Sequence, residues 1–249
     1  MLVTLGAVGV GMVIGARFFR APPPSDDAGR KAPVSASGEK PGQKMAAPVD
    51  PAEENIEQAL AEAKREADPV RRQRLVLAAL RRWAAVDPDA AAKAVLPWPN
   101  GFRLEAAAAV LAGAAQRPDD AVRLGIFFCR QDPGWAPEHG RAVIAALAEA
   151  GQFPAAVSFA LVGVAEVDGE ERNKWLMTAF AGWAQREPQF AALAATDLTD
   201  GGMRHEALRI VVSGWRKVSP DAPEKFLASL PLGPERTALA AGLAALPAR

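Results

Sequence analysis

Residues 182–236, GWAQREPQFAALAATDLTDGGMRHEALRIVVSGWRKVSPDAPEKFLASLPLGPER, carry one pattern twice. Gly182-Trp183 returns as Gly214-Trp215, Pro188 as Pro220, Gly201 as Gly233 and Arg204 as Arg236, each after 32 residues. A fixed period of this size marks a chain built from stacked supersecondary units. Within each unit the apolar residues keep helical phase. Ala207, Leu208, Val211, Val212 and Trp215 fall on one face of a helix, and Trp175, Leu176, Ala179, Phe180 and Trp183 repeat the arrangement one unit earlier.

The pattern extends upstream. Trp83 precedes Pro88 by five residues, as Trp183 precedes Pro188, and Gly101 follows Pro88 by thirteen, as Gly201 follows Pro188. Gly169 and Arg172 form a third Gly-x-x-Arg. Pro118 and Pro154 keep the proline, while Gly113 and Glu149 replace the tryptophan. Each unit is expected to be two helices. The proline suits the first turn of helix A, where a missing N–H costs nothing. Asp50, Asp68 and Asp87 precede Pro51, Pro69 and Pro88 as capping carboxylates. Gly101, Gly201 and Gly233 are expected to close helix A in a tight turn before helix B. The expected pairs are 52–67 with 69–86, 88–96 with 102–116, 118–131 with 136–150, 153–166 with 170–186, 188–198 with 202–218, and 221–230 with 234–246. Such hairpins cannot bury their apolar faces alone. The expected fold is all-α, a right-handed α-solenoid of about six helix-turn-helix repeats over residues 51–249, its truncated last unit acting as a cap.

Composition agrees with helix and narrows function. Ala, the best helix former, supplies much of the apolar half of the chain, and Tyr is absent. Lys plus Arg and Asp plus Glu are 29 each. Nucleic-acid binders draw most of their affinity from basic excess, so no nucleic-acid partner is expected. A single cysteine, Cys129, and two histidines, His139 and His205, leave no cysteine cage or usual zinc ligand set.

The first fifty residues stand apart. Met1 to Ala16, MLVTLGAVGVGMVIGA, is apolar and uncharged and is followed by Arg17, Phe18, Phe19 and Arg20. Sixteen helical residues span about 24 Å, and the phenylalanines with snorkelling arginines bring residues 1–20 close to bilayer thickness. A single-pass membrane anchor in contact with lipid is the expected role, with a cleaved signal peptide or a soluble helix as competing readings; the basic n-region of a signal is missing. Residues 21–50, rich in Pro, Gly and Ser, read as a disordered linker. The arginines after the apolar run place the folded part in the cytoplasm by the positive-inside rule. Pro-rich linkers after such anchors also hold exported domains, so cytoplasmic and periplasmic placements both stand. Gly9, Gly11 and Gly15 loosely match a dinucleotide fingerprint but lack the strand and helix that it needs, and Gly11-xxx-Gly15 fits a membrane packing face better.

The two-helix unit of about 33 residues resembles tetratricopeptide-type repeats, most closely at Ala146 to Ala160, ALAEAGQFPAAVSFA. The chain lacks the tyrosine of that family's pattern. Its Trp-x4-Pro register is closer to uncharacterised bacterial helical repeats with Trp-x4-Pro and Gly-x-x-Arg signatures. The resemblance implies partner binding and scaffolding on the inner face of a superhelix, and carries no catalytic residue across.

Candidates for chemistry each have a structural counterpart. Cys129, beside Phe127 and Phe128, reads as a buried thiol, although His139 lies ten residues on. His205-Glu206 lacks a second zinc-binding histidine, and Asp119-Asp120 falls in a helical first turn where carboxylates are favoured. Arg71, Arg72, Arg74, Arg81 and Arg82 are expected to be offset by Glu53, Glu54, Glu57, Glu62 and Glu66 on the preceding helix. Arg172, Arg204 and Arg236 recur against the helix dipole, so each should reach the end of helix A or an acid of the adjacent unit. Trp83, Trp183 and Trp215 are expected in the core, and Trp98 and Trp135 at turns. The expected function is a non-catalytic scaffold with an unidentified protein partner, no cofactor, no metal and no small-molecule substrate. Its rivals are a self-associating envelope protein and an all-helical toroidal enzyme.

Overall fold

The computed structural model describes residues 51–245. The expected membrane segment at 1–20 and linker at 21–50 lie outside them. Among the described residues the chain is all-helical: twelve α-helices, one 3-10 turn and no strand. None of these helices is long and apolar enough to cross a membrane. The helices pair as α1 (Pro51–Arg65) with α2 (Pro69–Val86), α3 (Pro88–Val95) with α4 (Asn100–Ala114), and α5 (Pro118–Gln131) with α6 (Ala136–Glu149). Then follow α7 (Phe153–Val162) with α8 (Gly169–Arg186), α9 (Pro188–Thr196) with α10 (Gly201–Val218), and α11 (Ala222–Ser229) with α12 (Pro234–Ala244).

Two kinds of corner join them. Between α2 and α3 a single residue, Asp87, serves both helices. Its N–H donates to the Trp83 carbonyl at 2.8 Å, ending α2, and its side chain accepts from the Ala90 N–H at 2.9 Å, starting α3. Pro88 favours this: a residue before proline is biased away from the helical region, and Asp87 sits at φ −128°, ψ 92°. Glu187 before Pro188 and Ser219 before Pro220 repeat the corner, their N–H groups donating to Trp183 and Trp215 at 2.8 Å. Pro220 departs from the expected first-turn position. It precedes α11 by two residues, and Pro223 takes the place in the first turn.

The corners inside each hairpin are longer. Asp68, Asp168 and Asp200 cap α2, α8 and α10, accepting from Val70, Glu171 and Met203. Gly169 and Gly201 are the first residues of α8 and α10, Gly101 the second of α4, and Gly233 the N-cap of α12. The expectation that Gly101, Gly201 and Gly233 close helix A is therefore corrected. A glycine cap of that kind needs positive φ, which among the described residues only Gly151 and Gly163 adopt.

The even-numbered helices pack on one another in chain order, α2 on α4, α4 on α6, and so on to α12. Odd-numbered helices pack on their hairpin partners and meet one another appreciably only at α3–α5 and α5–α7. Small residues set the close approach. Gly113, in the tryptophan position of its unit, lies so near α2 that a β-carbon would overlap the Arg81 carbonyl oxygen, and one on Gly140 would overlap the Trp175 indole. Around these notches sit Phe128, Phe153, Trp175 and Phe180, all at most 2% exposed. Burying one such ring stabilises by about 1.5–3 kcal/mol. Trp183 and Trp215 are each 6% exposed and occupy matching places three residues before the ends of α8 and α10. Trp183 stacks on Phe153 and Phe180, and Trp215 faces Phe226. Trp83 is half-buried and packs against the edge of this core.

Candidate functional site

Pro97 and Pro99 follow the end of α3, which stops after eight residues; Leu96 still has helical dihedrals, but neither proline has the N–H that would continue the helix. Trp98 between them is half-buried, stacked on Phe102 with ring centroids 5.1 Å apart. The neighbouring α5 runs for fourteen residues. It therefore outreaches α3, and a cleft of about 690 Å³ opens between them. Ala92, Val122, Ile126 and Phe127 form its apolar lining, while Asp89, Lys93, Asp119, Arg123 and Arg130 supply charge. Arg123 pairs with Asp89 across the cleft and with Asp120 on its own helix at 3.1 Å. The Arg123 guanidinium holds the Asp89 carboxyl below its ordinary pKa, and Asp89 in turn raises that of Arg123. Lys93 and Arg130 stand beside the apolar floor, and among the described residues neither comes within ion-pair distance of a carboxylate. Of the charged and apolar residues at the cleft, sequence reasoning singled out only Asp119, Asp120 and Phe127. The available signal was the Pro97-Trp98-Pro99 break.

The recurring cations sit at the other corners. Arg204 folds back over Gly201, donating to the Leu198 carbonyl at 2.9 Å, and meets Glu235 of the next hairpin at 3.3 Å. Arg236 donates to the Leu230 carbonyl at 3.2 Å. Arg103, which lies outside the Gly-x-x-Arg spacing, does the same to Leu96 at 2.9 Å and also pairs with Asp132 at 2.9 Å. Arg172 breaks the pattern: its Nε is buried without a partner, and its side chain lies against Gly163.

His139 takes the same place in α6, four residues after the N-cap, that Arg204 takes in α10. It is 1% exposed, stacks on Phe128, and lies 3.6 Å from Asp132. Burial pushes its pKa down against the opposing pull of Asp132.

Cys129 faces away from chemistry. Its thiol donates to the Ala136 carbonyl at 3.5 Å, and burial pushes its pKa up to about 12. His139 is engaged with Asp132 instead. Glu206 pairs with Arg209, and Asp120 with Arg117 at 2.7 Å. Of the arginine group on α2, Arg71 meets Glu66 at 3.2 Å and Arg81 crosses to Glu149 at 2.9 Å. Glu53, Glu54 and Glu57 lie outside the described side chains. Trp135 is 42% exposed in the 3-10 turn Pro133–Trp135.

Comparison of the chain with protein-family models, curated proteins and solved structures finds no match.

Proposed function

We propose that this chain is a non-catalytic protein-binding scaffold, a right-handed, tetratricopeptide-like α-solenoid tethered to a membrane by residues 1–20 through the linker at 21–50. The observation that carries it is the packing of the even-numbered helices in strict chain order, each hairpin supplying a wall for the next. The even-numbered helices touch along the whole row, and the odd-numbered ones do not. The row therefore bends toward the even side, as the Arg81–Glu149 contact between the first and third hairpins also favours. The α3–α5 cleft then opens on the outer side rather than the expected inner face, and its apolar floor beside the cations Lys93 and Arg130 suits a partner segment that is apolar on one side and acidic at its edge. Formal neutrality, with 29 charges of each sign, favours a protein partner over nucleic acid.

A photo-crosslinking residue placed at Phe127 in the anchored chain, with exposed Arg209 as control, tests this in cells. The Phe127 position should capture a partner of discrete mass, and Lys93→Glu with Arg130→Glu should abolish the product. Equal capture at both positions would remove the support for the cleft. Deletion of residues 1–20 should move the chain to the soluble fraction; retention in the membrane fraction would end the tether reading.

A further inference from the structure

Among the described residues a single ion pair joins two odd-numbered helices, and it spans the α3–α5 cleft. One nitrogen of the Arg123 guanidinium, Nη1, meets Asp89 of α3, and the other, Nη2, meets Asp120 on its own helix at 3.1 Å. The other ion pairs between hairpins start from even-numbered helices: Arg81 to Glu149, Arg103 to Asp132, Arg141 to Glu171 and Arg204 to Glu235.

The place of the Arg123–Asp89 pair is more informative than its strength. Both side chains are about half exposed, and water solvates such charges well, so the pair contributes little to stability. It stands instead where a ligand would. Asp89 and Arg123 both line the cleft, beside the apolar Val122, Ile126 and Phe127 and the cations Lys93 and Arg130. Asp89 thus presents to Arg123 the same group, a carboxylate, that this lining suits in a partner. It is held there by α3, in whose first turn a carboxylate is favoured. Asp120 has a different part. Because it holds Nη2, Arg123 would stay anchored if Asp89 withdrew, with Nη1 free for another carboxylate.

We infer that Asp89 is a built-in competitor: it occupies Arg123 in the free chain and gives way to a carboxylate of the partner. The cleft then selects an apolar segment that bears an Asp or Glu. This rests on the α3–α5 cleft being the binding site, and adds to it the group that is read and the group that is displaced. Exchanging one exposed carboxylate for another conserves the ion pair. The partner's gain therefore comes from the apolar floor with Lys93 and Arg130, and Arg123 supplies selectivity, since a neutral segment cannot replace Asp89.

The test uses the full chain in non-ionic detergent and a photoactivatable probe, 4-benzoylbenzoate, with 4-benzoylbenzamide as its neutral counterpart. Labelling on irradiation is mapped by peptide mass spectrometry and followed against probe concentration. The carboxylate should label the Ile126–Phe127 region saturably. Asp89→Asn should lower its half-labelling concentration about two- to fivefold, the range that an exposed ion pair accounts for. Arg123→Gln should raise it about threefold or more. Adding Asp89→Asn to Arg123→Gln should then change little, because the competitor has nothing left to occupy. Arg123→Lys, whose ammonium cannot keep Asp120 and offer a second edge, serves if Arg123→Gln loses its helical circular-dichroism signal. The benzamide should respond to none of these changes.

An equal gain from Asp89→Asn with and without Arg123 would overturn the inference, because the effect would then be general charge rather than competition. Carboxylate labelling that ignores both variants would overturn it while leaving the cleft as a site, whereas no labelling of the cleft by either probe would end both readings. In cells, protein capture at Phe127 should rise with Asp89→Asn and fall with Arg123→Gln. Capture indifferent to both, beside probe labelling that obeys them, would overturn the role toward a protein and assign the cleft to small apolar carboxylates.

Discussion

The corners leading into α8 and α10 begin with the same residues, a capping aspartate followed by Gly-x-x-Arg, yet they are held together differently. Before α10, Arg204 ties the corner to Leu198 and Glu235. Before α8, the corner is longer, Gly163 turns the chain with φ +64°, and Arg172 finds no acceptor for its Nε. Val164 and Val167 are instead buried to 7% and 6% exposure within that corner. One corner is clamped by a guanidinium and the other is plugged by aliphatic side chains. The motif establishes where an arginine stands; the path of the chain before it decides what the arginine does.

The largest effect should come from the plugged corner's turn. Gly163→Ala sets a β-carbon at positive φ and into the Arg172 side chain. It should destabilise by about 2–4 kcal/mol, a sum of left-handed backbone cost and overpacking. Gly201→Ala, whose β-carbon meets nothing closer than the Arg204 guanidinium at 3.6 Å, should stay within about 0.5 kcal/mol of wild type. Urea denaturation measures both, and equal losses would erase the distinction between the corners.

Next in size is the clamp itself. Arg204→Ala should cost about 1.5–3 kcal/mol, the range for hydrogen bonds that involve a charged group. Arg172→Met should be neutral or stabilising, because it removes a buried N–H that has no acceptor. The smallest effect, and the sharpest contrast, concerns His139 in the same place of α6. Its folded-state pKa lies below the ordinary value, so the unfolded chain takes up the proton first as pH falls. The contribution of neutral His139 to stability is then complete above about pH 6.5 and declines below it, until the folded state's own lower pKa is passed. Melting temperatures at pH 7.5 and 5.5 should show a steeper acid loss for wild type than for His139→Gln; parallel slopes would remove histidine from the account.

Helix content and most helix bounds were legible because Pro88, Pro118 and Pro188 mark helix starts by a purely local effect. The tryptophans announced one face of α8 and α10 through spacing alone. Other features depend on neighbours that no local pattern names. Arg103 is spaced two residues from Gly101 rather than three and so escaped the motif, although its side chain lands on Leu96 as Arg204 lands on Leu198. His139 hid in an arginine's place because nothing in its flanks resembles Gly-x-x-Arg. Gly113 read as a degenerate tryptophan, when its lack of a side chain is what admits the α2 backbone. The α3–α5 cleft follows from two helices of unequal length, a relation between units that periodicity within a unit does not express.

The double-duty caps at Asp87 and Glu187 have a consequence for how the chain tolerates change in length. One residue closes one helix and opens the next, so an insertion there has no slack to absorb it and would swing everything downstream by about 100° for each added residue. The hairpin tips at 197–200 and 230–233 carry no such phase requirement. The molecule thus has one edge that can accept grafted segments and an opposite edge that cannot, which decides where a tag or reporter can be inserted without scrambling the order of the units.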